Sequence, residues 1–155
     1  MKKLFYYHTP IGEIGIAEED GSICAIFFSH EKISKEEYMI KESSLIKNAY
    51  RQLVEYFNKQ RKTFDLPLAP EGTEFQMKVW KALSDIPYGK TRSYKEIAIA
   101  IGNPKAVRAV GMANNKNPIP IIIPCHRVIG SDGKLVGYGG GLEIKEYLLK
   151  LEGVL

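Results

Sequence analysis

Cysteine, histidine and arginine follow one another at positions 125 to 127, directly after Pro124 and at the end of the run Asn117-Pro118-Ile119-Pro120-Ile121-Ile122-Ile123. A thiol with an imidazole beside it and a fixed positive charge one residue further on has neighbours that favour the thiolate. Nucleophilic catalysis by cysteine needs a base for the thiol proton and a third group to orient that base. Cys125 and His126 supply the first two, and the third is sought among the carboxylates of the last helix, where Glu152 falls between Leu151 and Gly153 and can face back toward the core. Prolines at 118, 120 and 124 fix φ and remove backbone donors, so the segment is neither an ordinary helix nor a central strand. It reads as a stiff, irregular arm that presents Cys125. The same pattern is open to a blander reading, in which Cys125 is a small buried hydrophobe next to a histidine by chance.

The chain has 155 residues, enough for a sizeable core in one domain or in two small ones. It holds no apolar run of membrane-spanning length and no signal-peptide pattern after Met1-Lys2-Lys3, so a cytosolic location is expected. The two cysteines, Cys24 and Cys125, are far apart and are expected to be free thiols. His8, Cys24 and His30 could share a metal, but they lack close spacing and a fourth ligand, so neither metal nor cofactor is expected. Charge is uneven: residues 1 to 70 hold ten basic and ten acidic side chains, whereas residues 71 to 155 hold twelve and eight, which is the whole net charge of +4. Between Ile86 and Lys134 there are eight basic residues (Lys90, Arg92, Lys95, Lys105, Arg108, Lys116, Arg127, Lys134) against Glu96 and Asp132. That bias suits a modest polyanion-binding surface, and equally a solvated face.

Elements that could position the cysteine are legible in order. Short apolar runs at Leu4–Tyr7, Ile14–Ala17 and Ile23–Phe28, with Asp20-Gly21 between the last two, predict a small antiparallel sheet. Residues 31 to 42 read as a charged surface connection. A helix then starts at Ser43 or Ser44, with Ile46, Ala49, Tyr50, Leu53, Tyr56 and Phe57 as its buried face. The aperiodic stretch Phe64 to Gly72, with Pro67 and Pro70, is the expected domain boundary.

Thr73-Glu74-Phe75-Gln76 is a capping box opening a helix with Phe75, Val79, Ala82 and Leu83 inside, and Pro87-Tyr88-Gly89 stops it. Ser93-Tyr94-Lys95-Glu96 opens another, from Tyr94 to Ile101, ended by Gly102. Asn103 as N-cap and Pro104 at the first helical position predict a third, to about Asn115, so the pair reads as a helix-turn-helix. Its inner face is expected to be Ala106, Ala109, Val110 and Ala113, and its outer face Arg108, Met112 and Asn115. Asp132-Gly133 between Val128-Ile129 and Leu135-Val136 suggests a hairpin wing, the glycines from 137 to 141 allow close backbone approach to a ligand, and Ile144, Tyr147, Leu148 and Leu151 mark a final amphipathic helix. The fold class expected is α+β: a small N-terminal antiparallel sheet with one helix, then a helical, winged helix-turn-helix domain.

Pro124-Cys125-His126-Arg127-Val128, preceded by Asn103-Pro104-Lys105-Ala106-Val107-Arg108-Ala109-Val110-Gly111 and followed by Tyr138-Gly139-Gly140-Gly141-Leu142 and Lys145-Glu146, resembles the O6-alkylguanine-DNA alkyltransferase family over Phe75 to Gly153. The resemblance implies a ribonuclease-H-like domain over residues 1 to 70 and an alkyltransferase domain over 71 to 155. It implies a monomer that acts on double-stranded DNA containing O6-alkylguanine, and on O4-alkylthymine, by irreversible, single-turnover transfer to Cys125 after the base flips out. His126 would deprotonate Cys125 through a water, Glu152 would orient His126, Asn117 would brace the turn, and Tyr94 would protonate or hydrogen-bond the guanine ring nitrogen. Arg108 would enter the base stack, with Ser93, Lys105, Ala106, Asn115 and Arg127 also on the DNA. Val128, Tyr138, Gly139, Gly140, Lys145 and Pro120 would line the base pocket. Gly139 stands where many relatives carry serine, so a side-chain contact to O6 is lost there. Three other readings stay open at this stage: a winged-helix regulator, a sensor that flags damaged bases without transfer, and a cysteine hydrolase that turns over repeatedly.

Overall fold

The computed structural model describes every residue except 32, 34 and 139, with the backbone alone at 35. The chain forms two compact units, Met1–Pro70 and Glu71–Leu155.

In the first unit, β1 (Lys2–Thr9), β2 (Gly12–Glu19) and β3 (Ser22–Phe28) form an antiparallel meander. The β2–β3 turn has positive φ at both Asp20 and Gly21, the geometry that a two-residue hairpin needs to follow the strand twist. Residues 31 to 42, expected to be irregular, contain a short 3-10 turn and a fourth strand, β4 (Tyr38–Ile40), parallel to β1, so the sheet order is β3-β2-β1-β4. Three residues with one half-buried aromatic are too short to show strand periodicity, and only the free edge of β1 selects the conformation.

Helix α1 (Ser44–Phe57) starts at the Ser43 cap, whose hydroxyl accepts from the Ile46 amide at 3.1 Å. It covers the sheet face carrying Tyr7, Ile14 and Ile16, and Tyr50 stacks on Tyr7 with ring centroids 3.9 Å apart. Its buried stripe also contains Gln52, which no apolar pattern reveals. The Gln52 carboxamide exchanges hydrogen bonds with the Asp65 backbone at 2.9 and 3.0 Å, and so pins the proline-containing stretch that continues along the edge of β3 through Ile23, Pro67 and Ala69. Cys24 is half-buried within β3, and among the described residues no three His, Cys, Asp or Glu side chains are grouped to hold a metal.

The second unit comprises α2 (Glu74–Ser84), β5 (Arg92–Ser93), α3 (Tyr94–Ala100), α4 (Val107–Asn115), β6 (Val128–Ile129) and α5 (Leu142–Leu151). Both capping boxes form, Thr73 with Gln76 and Ser93 with Glu96. The apolar stripe omitted Trp80, which is 2% exposed and donates from its indole nitrogen to the Ala113 carbonyl at 2.8 Å, tying α2 to the last turn of α4. Gly72 lies under that ring: a Cβ there would stand 2.4 Å from Trp80 Cη2 and 2.6 Å from Gln76 Oε1. Gly72→Ala is therefore expected to destabilise the fold by about 1–3 kcal/mol, the usual cost of overpacking a rigid site. Urea unfolding tests this, and an unchanged midpoint would contradict it.

Helix α4 starts later than expected. Asn103 closes α3 instead of opening α4: its amide donates to the Ala98 carbonyl and that of Gly102 to Ile99, with Gly102 at φ +79°, the Schellman ending. Pro104 and Lys105 then form a turn, and α4 begins at Val107 without a side-chain cap. Its buried residues are Val110, Ala113 and Asn114, whereas Ala109 is exposed and Ala106 half-exposed, so the inner face is rotated from the expected one. The wing is also reduced. Gly130 and Lys134 close a turn around Asp132-Gly133, but β6 pairs in parallel with β5, and 135–136 form no strand because the Val136 carbonyl is taken by side chains of α3 and α5. On α5 the buried positions are Lys145, Leu148 and Leu149, and Tyr147 is exposed.

Candidate active site

Cys125 opens a 3-10 turn, Cys125–Arg127, at the end of the proline-rich arm, and is 3% exposed. The arm is bent, with Ile121 at φ +74° and a bridge between Pro120 and Ile123. Asn117 sets its shape by donating to the Ile123 carbonyl at 2.7 Å and accepting from the Ile119 amide at 3.0 Å. The thiol itself is not pre-ionised. Burial pushes it up to about 11, partly offset by hydrogen bonding from Asn117, the Lys145 charge and the Tyr138 hydroxyl. Arg127, expected to help the thiolate and to reach DNA, does neither: it is 6% exposed and turned inward, because a carboxylate is there to receive it.

That carboxylate is Glu152. Gly153, at φ +80°, and Val154 end α5 in a second Schellman turn, with Gly153 donating to Lys150 and Val154 to Leu149, which fixes Glu152 at the cap. Its Oε2 is 2.6 Å from His126 Nε2 and 3.1 Å from Arg127 Nη2, and its Oε1 accepts from Arg127 Nε at 2.8 Å and from the Gly89 amide at 3.1 Å. Arg127 Nη1 donates to the Ile86 carbonyl at 2.7 Å. The turn at 87–89, legible only as a helix stop, thus anchors the carboxylate. Fully buried, His126 is held below its ordinary pKa by desolvation, against the pull of Glu152. A neutral imidazole donating through Nε2 to Glu152 leaves Nδ1 as an acceptor, the state a general base requires.

Lys145 Nζ donates to the carbonyls of Val128 at 2.5 Å, Val136 at 3.0 Å and Gly137 at 3.3 Å, and burial lowers its pKa to about 8. It clamps the loop as well as standing near the thiol. Tyr94, at the start of α3, donates to Val136 at 2.8 Å, and its ring lies 6.0 Å from Lys145 Nζ. Burial and the neighbouring thiol raise its pKa, so the hydroxyl keeps its proton for donation. Gly140 is buried, Tyr138 half-buried and Pro120 buried in the arm, while Gly139 lies outside the described residues.

Arg108, Lys105 and Asn115 are exposed on or just before α4, and Met112 is 64% exposed one turn after Arg108. Ser93 is half-buried and its hydroxyl is used as the α3 cap. Of the eight basic residues between Ile86 and Lys134, Arg127 alone is buried. Asn114 is a site residue the sequence pattern did not single out: 1% exposed, it donates to the Cys125 carbonyl at 3.4 Å.

The family model for the 6-O-methylguanine DNA methyltransferase DNA-binding domain matches residues 74–154, and that for the ribonuclease-like domain of the same family matches residues 3–70. The chain is 56% identical to a methylated-DNA–protein-cysteine methyltransferase of Methanosarcina barkeri over 93% of its own length and 92% of the relative's. It is 52% identical to the constitutive methylated-DNA–protein-cysteine methyltransferase of Bacillus subtilis, over 93% and 91%. Among solved structures, the Mycobacterium tuberculosis OGT in complex with DNA superposes with a TM-score of 0.91 at 45% identity, covering 97% of this chain and 92% of that one. These matches span both units, and the chain belongs to the O6-methylguanine-DNA methyltransferase family.

Proposed function

We propose that this protein repairs O6-methylguanine in DNA by direct reversal, with Cys125 as the stoichiometric methyl acceptor. The observation that carries the reading is the buried thiol in sequence with a His126–Glu152 pair whose Nδ1 is left as an acceptor. His126 takes the thiol proton and the imidazolium is stabilised by Glu152. The thiolate attacks the methyl carbon in line, the C–O6 bond breaks, and the electron pair leaves on guanine, where Tyr94 supplies a proton. The product is S-methylcysteine, a thioether with no step to restore the thiol. A methyl carbon inside a duplex is out of reach of a thiol 3% exposed, so the base must flip out, and Arg108 on the exposed face of α4 fills the gap it leaves. Lys105 and Asn115 are placed for phosphate and groove contacts. A free catalytic thiol and a DNA substrate suit a reducing compartment that contains DNA.

Two expected results follow from the site. Because burial lowers the His126 pKa, the base form persists below its usual value near 6.5, and the transfer rate should hold through neutral pH and fall only in acid. A rate that drops already on leaving mildly alkaline pH would contradict this. A methyl on a thiol that is 3% exposed overfills its pocket, so the methylated protein should be less stable by about 1–3 kcal/mol, and identical melting of the two forms would count against it. The function itself is tested on the DNA: with a duplex carrying one O6-methylguanine in excess, restored guanine should plateau at one per protein molecule. Continued turnover would point to a hydrolase, and no restoration would remove the proposal.

A further inference from the structure

The last turn of α4 and the residues after it read Asn114-Asn115-Lys116-Asn117, and the three carboxamides reach three parts of the site. Asn117 holds the Ile123 carbonyl and the thiol. Asn115 lies against the loop at Gly137, where a Cβ would stand 3.3 Å from its amide. Asn114 donates from Nδ2 to the carbonyl of Cys125. Its Oδ1 is sealed from solvent and has no hydrogen-bond partner among the described residues, and the same is true of His126 Nδ1. These two acceptors belong to residues joined through one peptide, since Asn114 grips the Cys125 carbonyl, which is bonded to the nitrogen of His126. A buried acceptor is normally satisfied, and two of them near one peptide call for a small molecule that donates twice and fits among polar groups, which is water.

We propose that Asn114 is a positioning residue for the transfer reaction: its amide nitrogen fixes the Cys125 carbonyl, and its oxygen, together with His126 Nδ1, holds one water beside the thiol. In the step this water serves, the S–H bond of Cys125 breaks as an O–H bond forms on the water. One of the water's own hydrogens passes to Nδ1, leaving a thiolate and an imidazolium against Glu152, and the water is regenerated. Its other hydrogen stays on Asn114 throughout. Other groups set the same proton balance: Lys145 from α5, Tyr94 from α3, Tyr138 and Asn117 around the thiol, and Glu152 and Arg127 around His126. The inference rests on the transfer reading above.

The test is single-turnover methyl transfer from an O6-methylguanine duplex to the wild-type protein, Asn114→Leu and Asn114→Asp across neutral and alkaline pH, with melting temperature and duplex affinity measured for each. Leucine has the volume but no acceptor, and its variant should transfer about tenfold or more slowly at neutral pH. Its rate should then climb with pH as the thiol ionises unaided, at a duplex affinity within about twofold of wild type. Aspartate keeps an acceptor oxygen for the water, so Asn114→Asp should transfer faster at neutral pH than Asn114→Leu. Should Asn114→Leu not fold, Asn114→Ala carries the same comparison. A variant without the acceptor that keeps the wild-type rate overturns the proposal. So does one that is slower but keeps the wild-type pH profile, because it shows loss of packing alone. A wild-type protein that takes no methyl overturns the transfer reading and this inference with it.

Discussion

Glu152→Gln should slow methyl transfer by about two orders of magnitude or more and destabilise the protein by about 3–5 kcal/mol. The carboxylate receives hydrogen bonds from His126, from two nitrogens of Arg127 and from the Gly89 amide. Glutamine keeps one acceptor oxygen but presents an NH2 to groups that are themselves donors, and the guanidinium, 6% exposed, is left as a buried charge without its counter-ion. The catalytic loss has a separate cause. Without an anion at Nε2, His126 is free to adopt the other tautomer, and the imidazolium formed when it takes the thiol proton is no longer stabilised. Rapid-quench transfer and urea unfolding separate the two effects. A variant within threefold of the wild-type rate would show that Glu152 serves the fold alone.

Lys145→Met should have the second largest effect. Methionine fills the space of the aliphatic stem but leaves the carbonyls of Val128, Val136 and Gly137 without their common donor. The Val136 carbonyl keeps the Tyr94 hydroxyl, so the loss falls on Val128 and Gly137; at about 1–3 kcal/mol for each buried acceptor left unpaired, with relaxation of the loop recovering part of it, a net loss of about 2–4 kcal/mol is expected. The chemistry should suffer as well, since the Lys145 charge holds the thiol below the value burial alone would impose. Its removal should raise the thiol pKa further and slow transfer at neutral pH, with partial recovery in alkali. Lys145 has its own pKa lowered to about 8, so wild-type protein should lose some of this support as pH rises through that value. A stable variant with an unchanged rate would reduce Lys145 to a solvated residue, against its complete burial.

How far the sequence could be read depended on whether a feature was local. Ser43, Thr73 and Ser93 caps, the Asp20-Gly21 turn and the glycine ends of α3 and α5 are settled within a few residues, and each was legible. β4 was not, because three residues carry no period and their conformation is decided by pairing with β1, more than thirty positions away in the chain. Asn103 shows the competition between two local rules: its preference for an N-cap is real, but closing α3 behind Gly102 uses the same backbone first. Within the site, Cys125, His126 and Glu152 could be suggested from residue type and spacing together with the family resemblance, and the geometry pairs His126 with Glu152 directly after the buried Cys125. Arg127 was misjudged, and the carbonyl partners of Lys145, itself assigned to the base pocket, went unseen, for one reason. A charged side chain is read as exposed unless its partner is known, and their partners, Glu152 for one and three backbone carbonyls for the other, are remote or featureless in sequence. Trp80 and Asn114 escaped because the indole and the carboxamide are anchored to the carbonyls of Ala113 and Cys125, and no pattern of side chains records a carbonyl.

The most direct measurement is the intact mass and peptide map of the protein after incubation with a duplex carrying a single O6-methylguanine. The expected result is one added methyl on Cys125, saturating at one per molecule and absent from Cys125→Ala, with Cys24 untouched. Methyl on any other residue, or an unmodified protein beside repaired DNA, would contradict Cys125 as the acceptor.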